Sequence, residues 1–347
     1  MRHLNVVLLL ALLLANVFPT LAQGGGDEVL PASALLTGIR HEYQGWNNCG
    51  PATLTMGLSF FGWSDDQYTA ANWLKPNPED KNVSPWQMAE FVNTQTPIRA
   101  LVRYGGTLDT LRRMIANDFP VLIEAGFEPE GYDWMGHYEL IVGYDDGVGT
   151  FTTQDSFLGP NRTLTRQEVD HYWRHFNRVY IVLYTSEREA ALLALLGEDA
   201  DEHTNAARAL ETARQEAVAD QSDPFAWFNM GTSYVLLEMY PEAAIAYDQA
   251  RNVGPGLPWR MLWYQFGMLE AYYRVGRYDD VLALVEVNLG TTTYVEETYY
   301  YAGLVRAARG EMDRAIANFQ AVLAFNPHFT PARVALDQLL VGQGDGA

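Results

Sequence analysis

The sequence predicts an α+β domain followed by an all-α repeat solenoid. Three observations carry that reading. At 347 residues the chain is long enough for two domains. Across residues 37–185 helix-like spacing of apolar residues gives way to strand-like runs, the order expected of an α+β domain. Beyond Glu187 the texture is helical throughout, and equivalent positions (Tyr240, Tyr278, Met312) recur at 38 and then 34 residues.

The first stretch, residues 1–22, reads as a secretory signal. Arg2 and His3 give a basic start, Leu4 to Ala15 is apolar except for Asn5, and Thr20-Leu21-Ala22 offers small residues before Gln23. An exported chain is expected, with a membrane in play only if this segment stays uncleaved. Residues 23–36 form a flexible leader, opened by Gly24-Gly25-Gly26. The net charge of −20 disfavours nucleic acid or an anionic membrane surface as partner. Hydrophobic content of 48% suffices for real cores.

In the first domain, Leu54, Leu58 and Phe61 form one helical stripe after Cys49, with Ala52 and Met56 beside it, and Pro51 fits the first turn. The helix ends near Gly62. Lys75 to Pro85 is polar loop, and Pro85 begins a second helix. Thr107 is an N-cap for a third, whose stripe is Leu108, Leu111 and Ile115. Pro120–Ala125, Tyr138–Tyr144 and Thr150–Gln154 read as strands. Asp145–Gly149 is the turn of a hairpin over 138–154. A helix over Thr165–Arg174 and a strand over Val179–Tyr184 complete the domain.

Two helices, about 187–196 and 203–219, make a connector over residues 186–222. In the last part, 223–341, Trp227, Met230, Gly231, Tyr234, Ala243, Tyr247, Ala250 and Pro255 reproduce the tetratricopeptide spacing. Tyr299, Ala302, Gly303, Ala315, Phe319, Val322 and Pro327 repeat it. A middle unit through Tyr272, Gly276, Tyr278 and Val281 is looser. About three units are expected, capped by a helix near Pro331–Leu340. These positions are read as packing positions.

Cys49 is the one cysteine, so an exported chain has no internal disulfide and keeps a reactive thiol. At a helix N-terminus the dipole and free N–H groups favour the thiolate, the nucleophilic form. Gln44 offers a side-chain amide to an oxyanion beside the sulfur. A thiolate nucleophile needs a base and a group to orient it. Of seven histidines, His41, His137, His171 and His175 lie in this domain outside the signal. His137 immediately precedes a strand, and Asp155 closes its hairpin partner, so the two are expected about level. His171 and His175 have helical metal spacing but no carboxylate motif or second ligand cluster. No metal or organic cofactor is expected. Trp46, Trp86 and Trp134 are candidate rim aromatics, and Glu128–Met135 is a candidate lid.

The elements Gln44…Cys49-Gly50-Pro51-Ala52, Gly136-His137-Tyr138-Glu139-Leu140-Ile141-Val142-Gly143-Tyr144-Asp145 and Asp155 together resemble the papain-like cysteine peptidase family C-39, the bacteriocin-processing peptidases and their C-39-like relatives. The resemblance spans about residues 37–185. It implies a papain-like fold with Cys49 as nucleophile, His137 as general base, Asp155 orienting His137, and Gln44 lining the oxyanion hole. Two features differ. Ser156 follows Asp155 where relatives often carry proline, and an export signal and repeats replace the transporter fusion.

The expectation is therefore a papain-like peptidase domain followed by a tetratricopeptide-repeat solenoid, acting on a peptide or protein substrate through a thioester. The repeats are expected to serve as a platform for a protein partner. The alternative is a catalytically idle papain-like binding module on the same scaffold.

Overall fold

The computed structural model describes residues 30–344. Residues 1–22, expected to be a secretory signal, lie outside the described residues. None of the described helices is long and apolar enough to cross a membrane.

The first strand, β1 (Ser33–Leu35), is followed by helices α1 (Cys49–Ser59), α2 (Gln67–Leu74) and α3 (Pro85–Gln95). Then come β2 (Arg99–Arg103), α4 (Leu108–Ala116), β3 (Val121–Phe127), β4 (Met135–Asp145), β5 (Thr150–Asp155), β6 (Gly159–Thr165), α5 (Arg166–Trp173) and β7 (Tyr180–Tyr184). The strands form one antiparallel sheet of order β2-β7-β3-β4-β5-β6, with β1 paired to β4. Thus residues 31–184 make an α+β domain with helices first and most strands afterwards, as the sequence predicts.

Part of the leader differs from expectation. Flexibility was expected over 23–36, but Ser33–Leu35 pairs with Gly143–Asp145. The reason lies in β4, whose pairing with β3 stops at Ile141 and leaves backbone groups that β1 satisfies. Three further elements, α2, β2 and β6, fall in stretches that carried no strong periodic signal.

Helix α1 is buried at every position from Gly50 to Leu58. The amphipathic stripe expected from sequence is therefore a fully enclosed helix, packed against the sheet and its neighbouring helices. Its two threonines are satisfied internally, Thr53 Oγ1 donating to the Tyr138 carbonyl (3.0 Å) and Thr55 Oγ1 to Glu42 (3.0 Å).

The rest of the chain is helical. After α6 (Glu189–Leu196) and α7 (Glu202–Ala219) come antiparallel neighbours α8 (Pro224–Leu236) and α9 (Tyr240–Asn252). Then α10 (Gly267–Arg274) and α11 (Tyr278–Leu289), α12 (Glu296–Ala308) and α13 (Met312–Phe325), and α14 (Thr330–Gly344) follow. Gly231 and Gly303 do the same work in two pairs. A Cβ at either would meet a ring, Tyr247 or Phe319, at 2.6 Å. The helices of each pair approach closely because no side chain stands there.

These helices pack directly against the α+β domain. Trp134, Phe176 and Val179 share an apolar core with residues of α8 to α12. Polar groups stitch the seam. Asn326 Nδ2 donates to the Leu74 carbonyl (2.9 Å), Gln87 Nε2 to Glu296 (3.1 Å) and Asn229 Nδ2 to the Arg174 carbonyl (2.7 Å).

Replacing Gly303 by leucine is expected to destabilise the fold by about 1–3 kcal/mol through overpacking against Phe319. Chemical denaturation read by helical circular dichroism checks this, and an unchanged midpoint would contradict the packing.

Candidate functional site

The site is assembled where the N-terminus of α1 meets the start of β4. The segment leading into Cys49 is held by one side chain of α2. Gln67 Oε1 accepts from the Gly45 N–H (2.6 Å) and Asn48 Nδ2 (3.1 Å). Its Nε2 donates to Glu42 (3.0 Å) and the Tyr43 carbonyl (2.8 Å). All capacity of this buried amide is thereby spent on residues 42–48. Asn47 takes a left-handed conformation (φ 52°), one that asparagine tolerates, and turns the chain into the helix.

Cys49 opens α1 and is partly exposed. Burial pushes its thiol pKa up. The hydrogen bond and charge of His137 outweigh this, aided by the N–H groups of Tyr138 and Gly50, and the pKa is lowered overall. Lys75, buried at the C-cap of α2, adds a positive charge that acts on Cys49 and donates to Asn48 Oδ1 (3.5 Å) and the Pro78 carbonyl (3.2 Å).

His137 is only 3% exposed. Its Nε2 hydrogen-bonds Asp155 Oδ1 at 3.0 Å, which leaves Nδ1 as the ring nitrogen for the cysteine. The ring stacks on Phe127 with centroids 4.3 Å apart. Burial lowers the His137 pKa, but hydrogen bonds with Asp155 and Cys49 raise it, to about 10 overall. Asp155 Oδ1 also accepts from the Phe157 and Leu158 N–H groups (2.7 and 2.9 Å). Burial would raise its pKa, yet the hydrogen bond and charge of His137, followed by these N–H groups, hold it below the usual carboxylate value. His137 therefore favours the thiolate form of Cys49, and Asp155 in turn favours the imidazolium form of His137.

The pairing is not level across the hairpin, as the sequence reading expected. Near the turn Gly143 faces Thr152 and Asp145 faces Thr150; beyond a bulge, Leu140 faces Gln154. The continued register puts Asp155 opposite Glu139, two residues from His137 and on the same face. Without the bulge Asp155 would fall opposite Leu140, on the other face of the sheet from His137.

Gln44 is tied to Ser156, the residue after Asp155. Its backbone N–H donates to the Ser156 carbonyl (2.8 Å), and the Ser156 hydroxyl donates to its Oε1 (2.9 Å). The carbonyl end of the amide is thus occupied and the NH2 end is left free. The structure therefore brings Gln44, Cys49, His137 and Asp155 into one neighbourhood. Gln67, Lys75 and Ser156 support them and were missed. The one available signal was polar Gln67 just inside a helix capped by Asp66.

Other candidates lie elsewhere. Trp46 is exposed and donates to Glu79 (3.3 Å). Trp86 is also exposed, but it packs edge-on against Phe329 of the helical region. Trp134 is not a rim residue. It is buried, stacks on Phe176 and donates to His175 Nδ1 (3.1 Å). His175 also stacks on Phe225 at 3.9 Å, and its burial lowers its pKa to about 3. It is absorbed in the seam rather than offered to a metal. The expected lid over 128–135 is pinned at one end, where Arg260 Nη1 donates to the carbonyls of Asp133 (3.0 Å) and Trp134 (3.2 Å).

Residues 36–181 match the Peptidase_C39 like family. Two solved structures are similar to the chain. One is described as a C39-like peptidase from Bacillus anthracis, 15% identical over 44% of this chain and 98% of its own, with a TM-score of 0.37. The other is a double glycine motif protease from an AMS/PCAT transporter in complex with the leader peptide. It is 13% identical over 44% of this chain and 95% of its own, with a TM-score of 0.34. No curated protein matches the chain.

Alkylation of Cys49 by iodoacetamide is expected to persist at pH values well below the thiol's ordinary pKa, because His137 favours the thiolate. In His137→Ala burial loses its offset, so the titration should move above the ordinary value. Equal profiles for both proteins would remove the ion pair. Gln67→Ala should destabilise the fold by about 1–3 kcal/mol, since it strands the part-buried Gly45 N–H and the buried Asn48 amide; thermal unfolding checks this.

Proposed function

We propose that the chain is an exported cysteine peptidase that hydrolyses peptide or related amide bonds. The observation that carries the reading is the buried Asp155–His137 hydrogen bond beside a thiol whose pKa that histidine lowers. The family match over residues 36–181 supports the same class of chemistry.

In this reading the Cys49 thiolate attacks the scissile carbonyl carbon. The C–S bond forms as the carbonyl π electrons move to oxygen. The Cys49 N–H and the free NH2 end of Gln44 stabilise that oxyanion. Collapse breaks the C–N bond, and the His137 imidazolium gives its proton to the departing amine, leaving a thioester. Neutral His137 then takes a proton from water as the water oxygen attacks the thioester. The acid leaves and the thiolate–imidazolium pair is restored. Asp155 holds the ring so that one nitrogen faces the sulfur throughout. Ser156 acts through Gln44 as a positioning residue.

The helical region is read as about three tetratricopeptide units. The tyrosine and phenylalanine rings against Gly231 and Gly303, sixteen residues after each glycine in both pairs, support this assignment. As a platform it would present substrate or a protein partner beside the cleft. Tyr264, between α9 and α10, already lies against Gly136, the residue before His137: a Cβ there would meet its ring at 2.8 Å.

The test is cleavage of a diverse peptide mixture read by mass spectrometry. Wild type should produce new termini and Cys49→Ala none. Asp155→Asn should lower kcat by about 10²–10⁴, and Gln44→Ala by about 10²–10³ with KM little changed. Cleavage by Cys49→Ala equal to wild type would overturn the assignment.

A further inference from the structure

A cavity of about 360 Å³ lies between the sheet and the helical region. Glu124 of β3 and Glu297 of α12 line it, together with the rings of Tyr104, Phe176, Tyr264 and Tyr300. The space suits one elongated side chain or a small organic molecule.

The two carboxyl groups are the feature that needs an explanation. Glu124 is 3% exposed and Glu297 is 6% exposed. Glu124 Oε1 has no hydrogen-bond partner. Glu297 accepts one long bond, from Ser84 Oγ at 3.5 Å. Among the described residues, no cation acts on either group. The third acid of the wall, Glu270, differs, because Arg274 Nε pairs with it at 2.7 Å. Tyr138 hydrogen-bonds Glu124 but leaves Oε1 unmet; a buried carboxyl oxygen without a partner is costly to a fold, and a native protein keeps one where something else completes the bond.

The chemistry of the wall narrows what that partner is. An anion would meet two acids and no base. A purely apolar guest would leave Glu124 Oε1 unsatisfied. An ammonium or guanidinium group on an apolar stem meets both demands: carboxylates bind the head, and aromatic rings hold the stem and add cation–π attraction. We propose that this cavity binds an organic cation, a primary ammonium or guanidinium on an apolar stem, seated between Glu124 and Glu297. The group has two sources, a free amine or the side chain of a lysine or arginine in a peptide. The inference stands whether or not Cys49 is a nucleophile.

Binding should carry a pH signature. Glu124 faces Tyr138 on β4, Tyr104 after β2, Cys49 on α1, and Tyr264; Glu297 faces Asp80, Ser84, Glu296 and Tyr301. No basic group is among them. Burial raises the pKa of Glu124 well above its ordinary value and that of Glu297 to about 8. A cation seated there therefore competes with protons for the two carboxyl groups. Affinity should rise with pH, and protons should be released on binding.

Isothermal titration calorimetry on the whole chain tests the proposal, with agmatine, cadaverine, a blocked lysine tripeptide and its norleucine counterpart. At least one cation should bind with proton release, and Glu124→Gln should weaken it about tenfold or more. Glutamine keeps the shape of the neutral acid, so the variant should retain the wild-type melting curve and Cys49 alkylation rate. Binding of the free amines alone makes this a free-cation site. Binding of the lysine peptide but not the norleucine one makes it a site for a peptide side chain. No binding by any cation at millimolar concentration, equal binding of lysine and norleucine peptides, or undiminished binding by a folded Glu124→Gln would overturn it.

Discussion

The hydrogen bond from His137 to Asp155 depends on a single irregularity in the sheet. Strand faces alternate with period two, so a regular β4–β5 hairpin would turn Asp155 away from His137. The bulge between Ile141 and Gly143 changes that parity. One unpaired residue thus decides whether the imidazole has an orienting partner. Once Asp155 is on the correct face, the Phe157 and Leu158 N–H groups fix its oxygen, and Phe127 fixes the plane of the ring. The lowered thiol pKa of Cys49 follows from those constraints, since a freely rotating histidine would hold its charge near the sulfur only part of the time.

The Cys49 side is built with equal economy. Cys49 sits at the start of a helix with no exposed face after it, so the helix cannot shift without disturbing the core. The preceding segment, 42–48, has no regular structure, and Gln67 supplies the hydrogen bonds that a strand partner would give. Ser156 links the two halves. It follows Asp155 directly and binds both the backbone and the side chain of Gln44. Ser156 therefore has a physical role in this chain.

The order of helices and strands, the hairpin and the helix pairs were legible in the sequence because each carries a strong local period. Cys49 at a helix start and His137 and Asp155 on neighbouring strands were legible as positions, and the structure brings them close together. The rest depends on tertiary context. Ser33–Leu35 is a strand only because β3 leaves part of β4 unpaired. The bulge leaves no mark beyond Gly143. Gln67 and Lys75 look like ordinary polar residues until α2 is seen to lie beside Cys49. Trp134 and His175 resemble site residues by type, yet the seam with the helical region takes both.

That seam joins distant parts of the chain. The bond from Asn326 to the Leu74 carbonyl spans 252 residues, and Gln87 to Glu296 spans 209. Contacts of such separation form late, because the entropy of closing the intervening loop must be met first. During synthesis the α+β domain emerges well before α12 and α13 exist. Through that interval the apolar face around Trp134 and Phe176, and the polar groups of Ser84 and Gln87, wait without their partners. The nascent domain therefore passes through a stage at which it is sticky and unfinished on one side, and its final helices act as the last step of its own assembly.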